Sequence, residues 1–91
     1  MFLHIQQAKY VKDYVLWIKF NNGAEGQVDL KDELYGEVFL PLLRPEMFRS
    51  FRVDPEIETI VWENGADMAP EFLYGKIRKT AKGSVKNKLG I

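Results

Sequence analysis

The side chains best suited to chemistry in this sequence are one histidine and a group of carboxylates. His4, the single histidine, opens an apolar segment, and no partner that would orient it as a general base stands at a recognisable spacing. Asp29, Asp32, Glu33 and Glu37 cluster after a predicted β-hairpin, but their spacing does not match a twelve-residue calcium loop. We favour capping of the next helical turn by Asp29 or Asp32 over a metal site.

The remaining sequence shows no recognisable catalytic machinery. It contains no cysteine, which excludes thiol nucleophiles, disulfides and cysteine-bearing zinc sites. Its glycines do not form a phosphate-binding loop, and Ser50 and Ser84 lie in no nucleophile elbow. A paired-carboxylate hydrolase using Glu63 and Asp67 is an unfavoured alternative. We therefore predict a non-catalytic protein with no cofactor and no metal site.

The densest collection of special residues runs from Trp62 to Tyr74. As a recognition surface, Trp62 and Tyr74 would supply rigid apolar anchors, and Asn64, Asp67 and Glu71 would supply polar contacts around them. As a corner between a strand and a helix, the same segment offers a glycine for positive φ, a capping carboxylate and a proline for the first helical turn. We favour the structural interpretation, although one corner can serve both purposes.

Charge is divided unevenly along the 91 residues. Thirteen Lys and Arg balance thirteen Asp and Glu, yet residues 75–91 hold six cations and no acidic residue, which leaves residues 1–74 with a net charge of −6. An acidic body would attract and orient a small basic partner protein. The basic segment is predicted to be a solvated end; the alternatives are that it folds back on the acidic body or binds nucleic acid, which is less favoured because the segment contains no aromatic side chain. Its cations are Lys76, Arg78, Lys79, Lys82, Lys86 and Lys88.

The elements that must position these residues begin with strands. Residues 2–6, continuing to residues 10–11, predict an opening strand, and the alternation in residues 14–20 predicts a second strand with Leu16, Ile18 and Phe20 on one face. An Asn-Asn-Gly turn then leads into a third alternating segment at residues 25–30. We therefore expect a β-hairpin near the N-terminus.

The second half of the chain predicts shorter elements. Residues 34–48 have helical apolar spacing that a glycine and two prolines interrupt, which predicts short helical turns. Two more strands are predicted at residues 50–53 and 57–62. A helix is predicted from about Pro70 to Lys79, since acids lie at its start and cations near its end. We expect order to fade near Thr80.

Together these elements predict an α+β fold. It would contain a small, mainly antiparallel sheet of about four to five strands, a hairpin near the N-terminus, short helices and a C-terminal helix. We predict a single domain over residues 1–79 and a basic, partly disordered extension over residues 80–91. No signal-peptide pattern or bilayer-spanning apolar run is visible, so we expect a cytoplasmic protein that does not enter membranes. An exposed sheet edge would permit a homodimer.

Most of the chain, from about Ile5 to Tyr74, resembles a bacterial domain-of-unknown-function family, number twenty-four forty-two. The segment from Trp62 to Tyr74 is the most specific part of that resemblance. The residues that carry it are Tyr14-x-Leu16-x-Ile18-x-Phe20-x-Asn22-Gly23, Val28-Asp29-Leu30, Phe48-x-x-Phe51-x-Val53 and Ile60-x-Trp62-x-Asn64-Gly65-Ala66-Asp67-Met68-Ala69-Pro70-Glu71-x-Leu73-Tyr74.

The resemblance implies a small α+β fold without established catalytic activity. Some relatives look like the smaller partner in toxin–antitoxin-type gene pairs, beside small basic proteins, and others carry a helix-turn-helix domain after this module. Seventeen residues follow Tyr74, so we expect no such DNA-binding domain here. Our leading hypothesis is a protein-interaction module, antitoxin-like, for a small basic protein. The alternatives are a nucleic-acid-binding accessory protein that uses the basic tail, and small-ligand binding at the corner from Trp62 to Tyr74.

Overall fold

Antiparallel strands and several short helices form an α+β fold, as the sequence predicts, but the five strands are divided between two sheets instead of forming one. The computed structural model describes residues 2–77. Three strands form the larger sheet in the order β1-β2-β3, and two short strands form the smaller one. The strands are β1 (Ile5–Lys12), β2 (Val15–Phe20), β3 (Glu25–Asp29), β4 (Arg52–Val53) and β5 (Ile60–Val61).

The predicted hairpin is confirmed and consists of β2 and β3. Leu16 pairs with Val28 across the hairpin, and both side chains are buried. Gly23 takes a φ of 91° in the connecting turn, a conformation that glycine adopts without steric cost. Because side chains alternate between the faces of a strand, the predicted inner residues of β2 are buried in the core while Trp17 lies on the opposite face.

Strand β1 forms one edge of the larger sheet and pairs with β2. Its pairing is interrupted twice, between Ile5 and Gln7 and again between Tyr10 and Lys12. Such irregularities bend a strand, and exposed lysines such as Lys12 also discourage pairing with another chain. The homodimer through a sheet edge therefore stays a prediction.

Short helices connect β3 to β4, which confirms the prediction for this region. They comprise 3₁₀ turns at Lys31–Glu33 and Leu40–Leu43 and the helices α1 (Gly36–Phe39) and α2 (Pro45–Phe48). Each proline stands in the first turn of its helix, where a missing N–H group costs nothing. The Asp29 carboxylate accepts a hydrogen bond at 3.0 Å from the N–H of Lys31, the first residue of the 3₁₀ turn, but the N-cap residue of that turn is Leu30.

The second pair of strands is shorter than predicted, because the residues between them form a turn. Asp54 Oδ1 accepts hydrogen bonds from the N–H groups of Glu56 (2.8 Å) and Ile57 (3.2 Å). These two bonds lower the pKa of the Asp54 carboxyl. Glu58 then takes a left-handed φ of 56°. The predicted strand over residues 57–62 therefore begins only at Ile60.

Residues 70–77 form helix α3, which packs against the larger sheet. Leu73 and Ile77 are buried, and Gly26 of β3 lies so close that an added Cβ would be 2.9 Å from Ile77 Cγ2. Glycine is therefore required for this approach between helix and strand. The predicted end of the helix at Lys79 and the extension over residues 80–91 lie outside the described residues.

One hydrophobic core joins the two sheets and the helices. Most of its large, fully buried side chains come from β2, β3, α2, β5 and α3, and Trp62 directly follows β5, so distant parts of the sequence meet there. They include Leu16, Ile18, Phe20, Val28, Phe48, Ile60, Trp62 and Leu73. The Tyr14 hydroxyl also donates a hydrogen bond to the Leu43 carbonyl, which ties the hairpin to the short helices.

Candidate functional site

A surface pocket of about 320 Å³ lies beside the start of α3. Its lining comes from the segment around α1 on one side and from residues 67–72 on the other. Tyr35 is 68% exposed and Phe72 is 40% exposed, so aromatic surface is offered to solvent at this place. The lining residues are Glu33, Tyr35, Phe39, Asp67, Met68, Ala69 and Phe72. We call this site the acidic pocket, because its only charged lining residues are two carboxylates.

A tight turn after β5 positions one side of the acidic pocket. Trp62 donates its backbone N–H to the Ala66 carbonyl at 2.8 Å, and Gly65 takes a φ of 90° within the turn. The Asn64 side chain accepts a hydrogen bond from the Ala66 N–H at 3.1 Å and donates one to the Val38 carbonyl at 3.0 Å. Asn64 thereby links the corner to α1, which carries the opposite side of the pocket.

Thr59 holds the segment that leads into α3. Its side chain is buried, and Oγ1 donates a hydrogen bond to the Met68 carbonyl at 2.5 Å. Asp67 forms an isolated β-bridge with Val61 beside this contact. The main chain of residues 67–69 is therefore held against β5, and the Asp67 side chain is exposed at the pocket. No pattern in the sequence around Thr59 indicates this role.

Trp62 supports the corner from inside the core. The side chain is 1% exposed, and Nε1 donates a hydrogen bond to the Phe48 carbonyl at 2.8 Å. Tyr74 is half-buried and meets the Phe20 ring edge to face, with 5.3 Å between the ring centroids. Neither residue lines the acidic pocket, so both occupy the positions that the structural interpretation of this segment requires.

The structure separates the five predicted binding residues. Asp67 lines the pocket, Glu71 is exposed in the first turn of α3, and Asn64 shapes the corner through its side-chain hydrogen bonds. Sequence reasoning missed three aromatic lining residues, which are Tyr35 and Phe39 on the α1 side and Phe72 in α3. A usable signal was the set of aromatic residues close to the acidic cluster that follows the hairpin.

Lys76 connects α3 to the far wall of the acidic pocket. Its Nζ lies 2.8 Å from Glu33 Oε2 and 5.8 Å from the centroid of the Phe72 ring. The two paired side chains are 27% and 26% exposed. Lys76 is also the first cation of the basic segment, and the other five cations, Arg78, Lys79, Lys82, Lys86 and Lys88, lie outside the described residues.

His4 has a partner that only the fold reveals. Its Nδ1 lies 3.1 Å from Glu58 Oε1, and the two side chains are 32% and 50% exposed. The Ile5 N–H also donates a hydrogen bond to the Glu58 carbonyl at 3.0 Å. These contacts join the start of β1 to the turn after β4, which gives His4 a structural role.

Two further observations concern residues 2–77 as a whole. No three His, Asp or Glu side chains in this part of the chain are grouped in a way that could hold a metal ion. None of the helices formed by the same residues is both long and apolar enough to cross a membrane.

The fold and the site define a small α+β domain with an acidic, aromatic-walled pocket at a strand-to-helix corner. Residues 5–79 match the family described as "Protein of unknown function (DUF2442)", and the chain belongs to that family. The match contains both walls of the acidic pocket. Comparison with curated proteins and with solved structures found no match to this chain.

Proposed function

We propose that this chain is a non-catalytic protein-interaction module that binds a small basic protein at the acidic pocket. The observation that carries this proposal is the composition of the pocket. Its walls are mainly apolar and aromatic, and its two charged lining residues, Glu33 and Asp67, are both acidic. A partner that buries an apolar or aromatic side chain beside a positive charge would complement both properties.

The charge of the surrounding domain supports the same partner. Over the described residues 2–77, eight cations face thirteen acidic residues, a net charge of −5. Glu37 in α1 and Glu71 in α3 are exposed on elements that also carry lining residues of the pocket, so the negative charge of the domain includes these two elements. Complementary charge of this kind speeds encounter with a basic protein and orients it, while the apolar walls supply contact area.

The antitoxin-like role belongs to this proposal. A small acidic domain that covers a basic protein would neutralise the charge with which that protein engages its own target. The acidic pocket accounts for binding of the partner. The antitoxin-like role additionally requires that binding inhibits the partner's activity, which is measured in a separate assay.

Co-purification from the native host tests the interaction. The tagged full chain, Asp67→Lys and the matched control Glu56→Lys would be recovered at low salt and analysed by mass spectrometry. Both substitutions reverse one exposed carboxylate, but Glu56 lies in the turn after β4 and does not line the pocket. We expect one small basic protein to accompany the wild type and Glu56→Lys but not Asp67→Lys. Recovery of the chain alone, or equal recovery of that protein with all three forms, would refute the proposal.

Small-ligand binding is a second candidate function, because the pocket lies at the predicted corner. Its volume of about 320 Å³ is at the lower end of the range for small-molecule sites. Mass spectrometry under non-denaturing conditions would distinguish the two functions. A bound mass of a few hundred daltons would favour a ligand, and a bound polypeptide would favour a protein partner. The nucleic-acid alternative gains no support from Lys76, the one described member of its set, which pairs with Glu33.

A further inference from the structure

The ion pair between Lys76 and Glu33 places a cation of this chain at the wall of its own acidic pocket. The Lys76 ammonium approaches a carboxylate at 2.8 Å and an aromatic ring at 5.8 Å, and both Glu33 and Phe72 line the pocket. A carboxylate beside an aromatic face is the combination with which proteins recognise cationic side chains.

We propose that the Glu33 carboxylate and the Phe72 ring form a subsite for one cationic side chain of the basic partner, and that Lys76, which does not itself line the pocket, is an internal occupant which that side chain displaces. The inference rests on the proposed function and assigns the chemistry of the partner's contact residue. Lys76 holds the subsite when the partner is absent. The partner's cation takes over the Glu33 carboxylate and the Phe72 face when the partner binds.

The geometry favours arginine as the displacing residue. A guanidinium is planar, stacks on an aromatic face and can form two parallel hydrogen bonds to one carboxylate, whereas an ammonium is a point charge. Asp67 adds a second carboxylate to the lining, and within the described residues it takes part in no ion pair. Lys76 can be displaced at small cost because a partly exposed ion pair contributes little stability.

Arginine itself provides the probe. Nα-acetyl-arginine methylamide, its lysine analogue and the uncharged citrulline analogue would be titrated into the full-length chain and followed by ¹H–¹⁵N NMR. We expect the arginine probe to perturb resonances of Tyr35, Phe72 and Lys76. The lysine probe should bind more weakly, and the citrulline probe about tenfold more weakly than arginine, since it lacks the charge.

Variants with opposite expected effects separate displacement from a structural role. Lys76→Gln removes the internal competitor and should tighten arginine binding about threefold, whereas Glu33→Gln removes the acceptor and should weaken it about tenfold. Lys12→Gln is the charge-matched control on β1 and should leave the affinity at the wild-type value. Lys76→Met repeats the measurement with an apolar side chain if the glutamine variant does not fold.

The displacement model is overturned if Lys76→Gln tightens binding no more than Lys12→Gln does, or if Lys76→Gln and Glu33→Gln both weaken it. Equal binding of the citrulline and arginine probes, or perturbed resonances confined to other surfaces, would also overturn it. The two proposals fail separately. If the arginine probe binds but no protein is captured, the subsite is supported and the interaction module is refuted. If a protein is captured in a way that depends on Asp67 but the arginine probe does not bind, the interaction module is supported and the subsite is refuted.

Discussion

Replacing Trp62 by phenylalanine tests whether this residue is part of the core or an anchor for a ligand. The substitution keeps an aromatic ring but removes the N–H group that donates to the Phe48 carbonyl at 2.8 Å. Trp62 is 1% exposed and Phe48 is fully buried, so water cannot easily replace the lost donor. The variant should therefore lose stability in proportion to both the missing hydrogen bond and the missing ring volume.

The magnitude follows from these two contributions. A buried carbonyl left without its donor costs about 1–3 kcal/mol. A phenyl ring in place of the indole leaves roughly 40 Å³ unfilled, which costs about 1 kcal/mol at the usual penalty per unit of cavity volume. The expected loss in the free energy of unfolding is therefore about 3 kcal/mol. That is a large fraction of the total for a domain of this size, and Tm should fall by roughly 12–24 °C.

Trp17 provides the matched control. Its Nε1 donates to Glu25 Oε1 at 3.2 Å on the outer face of the larger sheet, where water can replace the bond. Trp17→Phe should therefore cost less than about 1 kcal/mol. Urea unfolding followed by far-UV circular dichroism is the suitable assay, since each variant removes one of the two tryptophans that fluorescence would report. Equal stability of the two variants would refute the burial of Trp62 and would revive its role as a recognition anchor.

The remaining predictions concern backbone approach and pH. Gly26→Ala should destabilise the chain by about 1–2 kcal/mol in urea unfolding, because the new Cβ meets Ile77 Cγ2 at 2.9 Å. Gly75→Ala, with no atom within 4 Å of its added Cβ, should instead stabilise α3 by up to about 1 kcal/mol; destabilisation of both to the same extent would contradict the packing of α3. The pKa of Asp54 is lower in the folded state than the value of 3.8 that is usual for an unperturbed aspartate. Ionised Asp54 therefore stabilises the fold at pH values above the pKa of the unfolded state, and this contribution is lost as the pH falls through the pKa of the folded state. Asp54→Asn should therefore be less stable than the wild type at pH 6, with the difference shrinking toward pH 3 in the same assay; a difference independent of pH would disprove this reasoning.

Local patterns were sufficient to predict the hairpin. The alternation in β2 specifies which side chains face the core, and the Asn-Asn-Gly sequence supplies a turn, so neither depends on distant residues. The same reasoning extended the predicted strand over residues 57–62 too far. The Asp54 side chain captures two N–H groups there and makes a turn, which strand propensity does not register.

The candidate site was predictable only in part. The segment from Trp62 to Tyr74 identified the corner, and Asp67 within it lines the acidic pocket. Sequence alone could not decide between the two interpretations of Trp62, because an indole can anchor a ligand or fill a core with equal chemical ease. Its burial depends on the Phe48 carbonyl, which α2 brings to it from another part of the chain.

Residue types and their spacing are sufficient to predict the family, the fold class, the hairpin and the chemistry available at the corner, because each of these depends on patterns that the chain shows without reference to its packing. Only the packing of distant segments brings Glu33 and Lys76 together, places Tyr35 and Phe72 in the lining of one pocket, and turns Trp62 inward. Periodicity shows which face of an element is buried, but not which other element covers it. Which elements cover each other depends on packing between residues far apart in the chain. This packing brings the acidic and aromatic residues of separate segments together around one pocket.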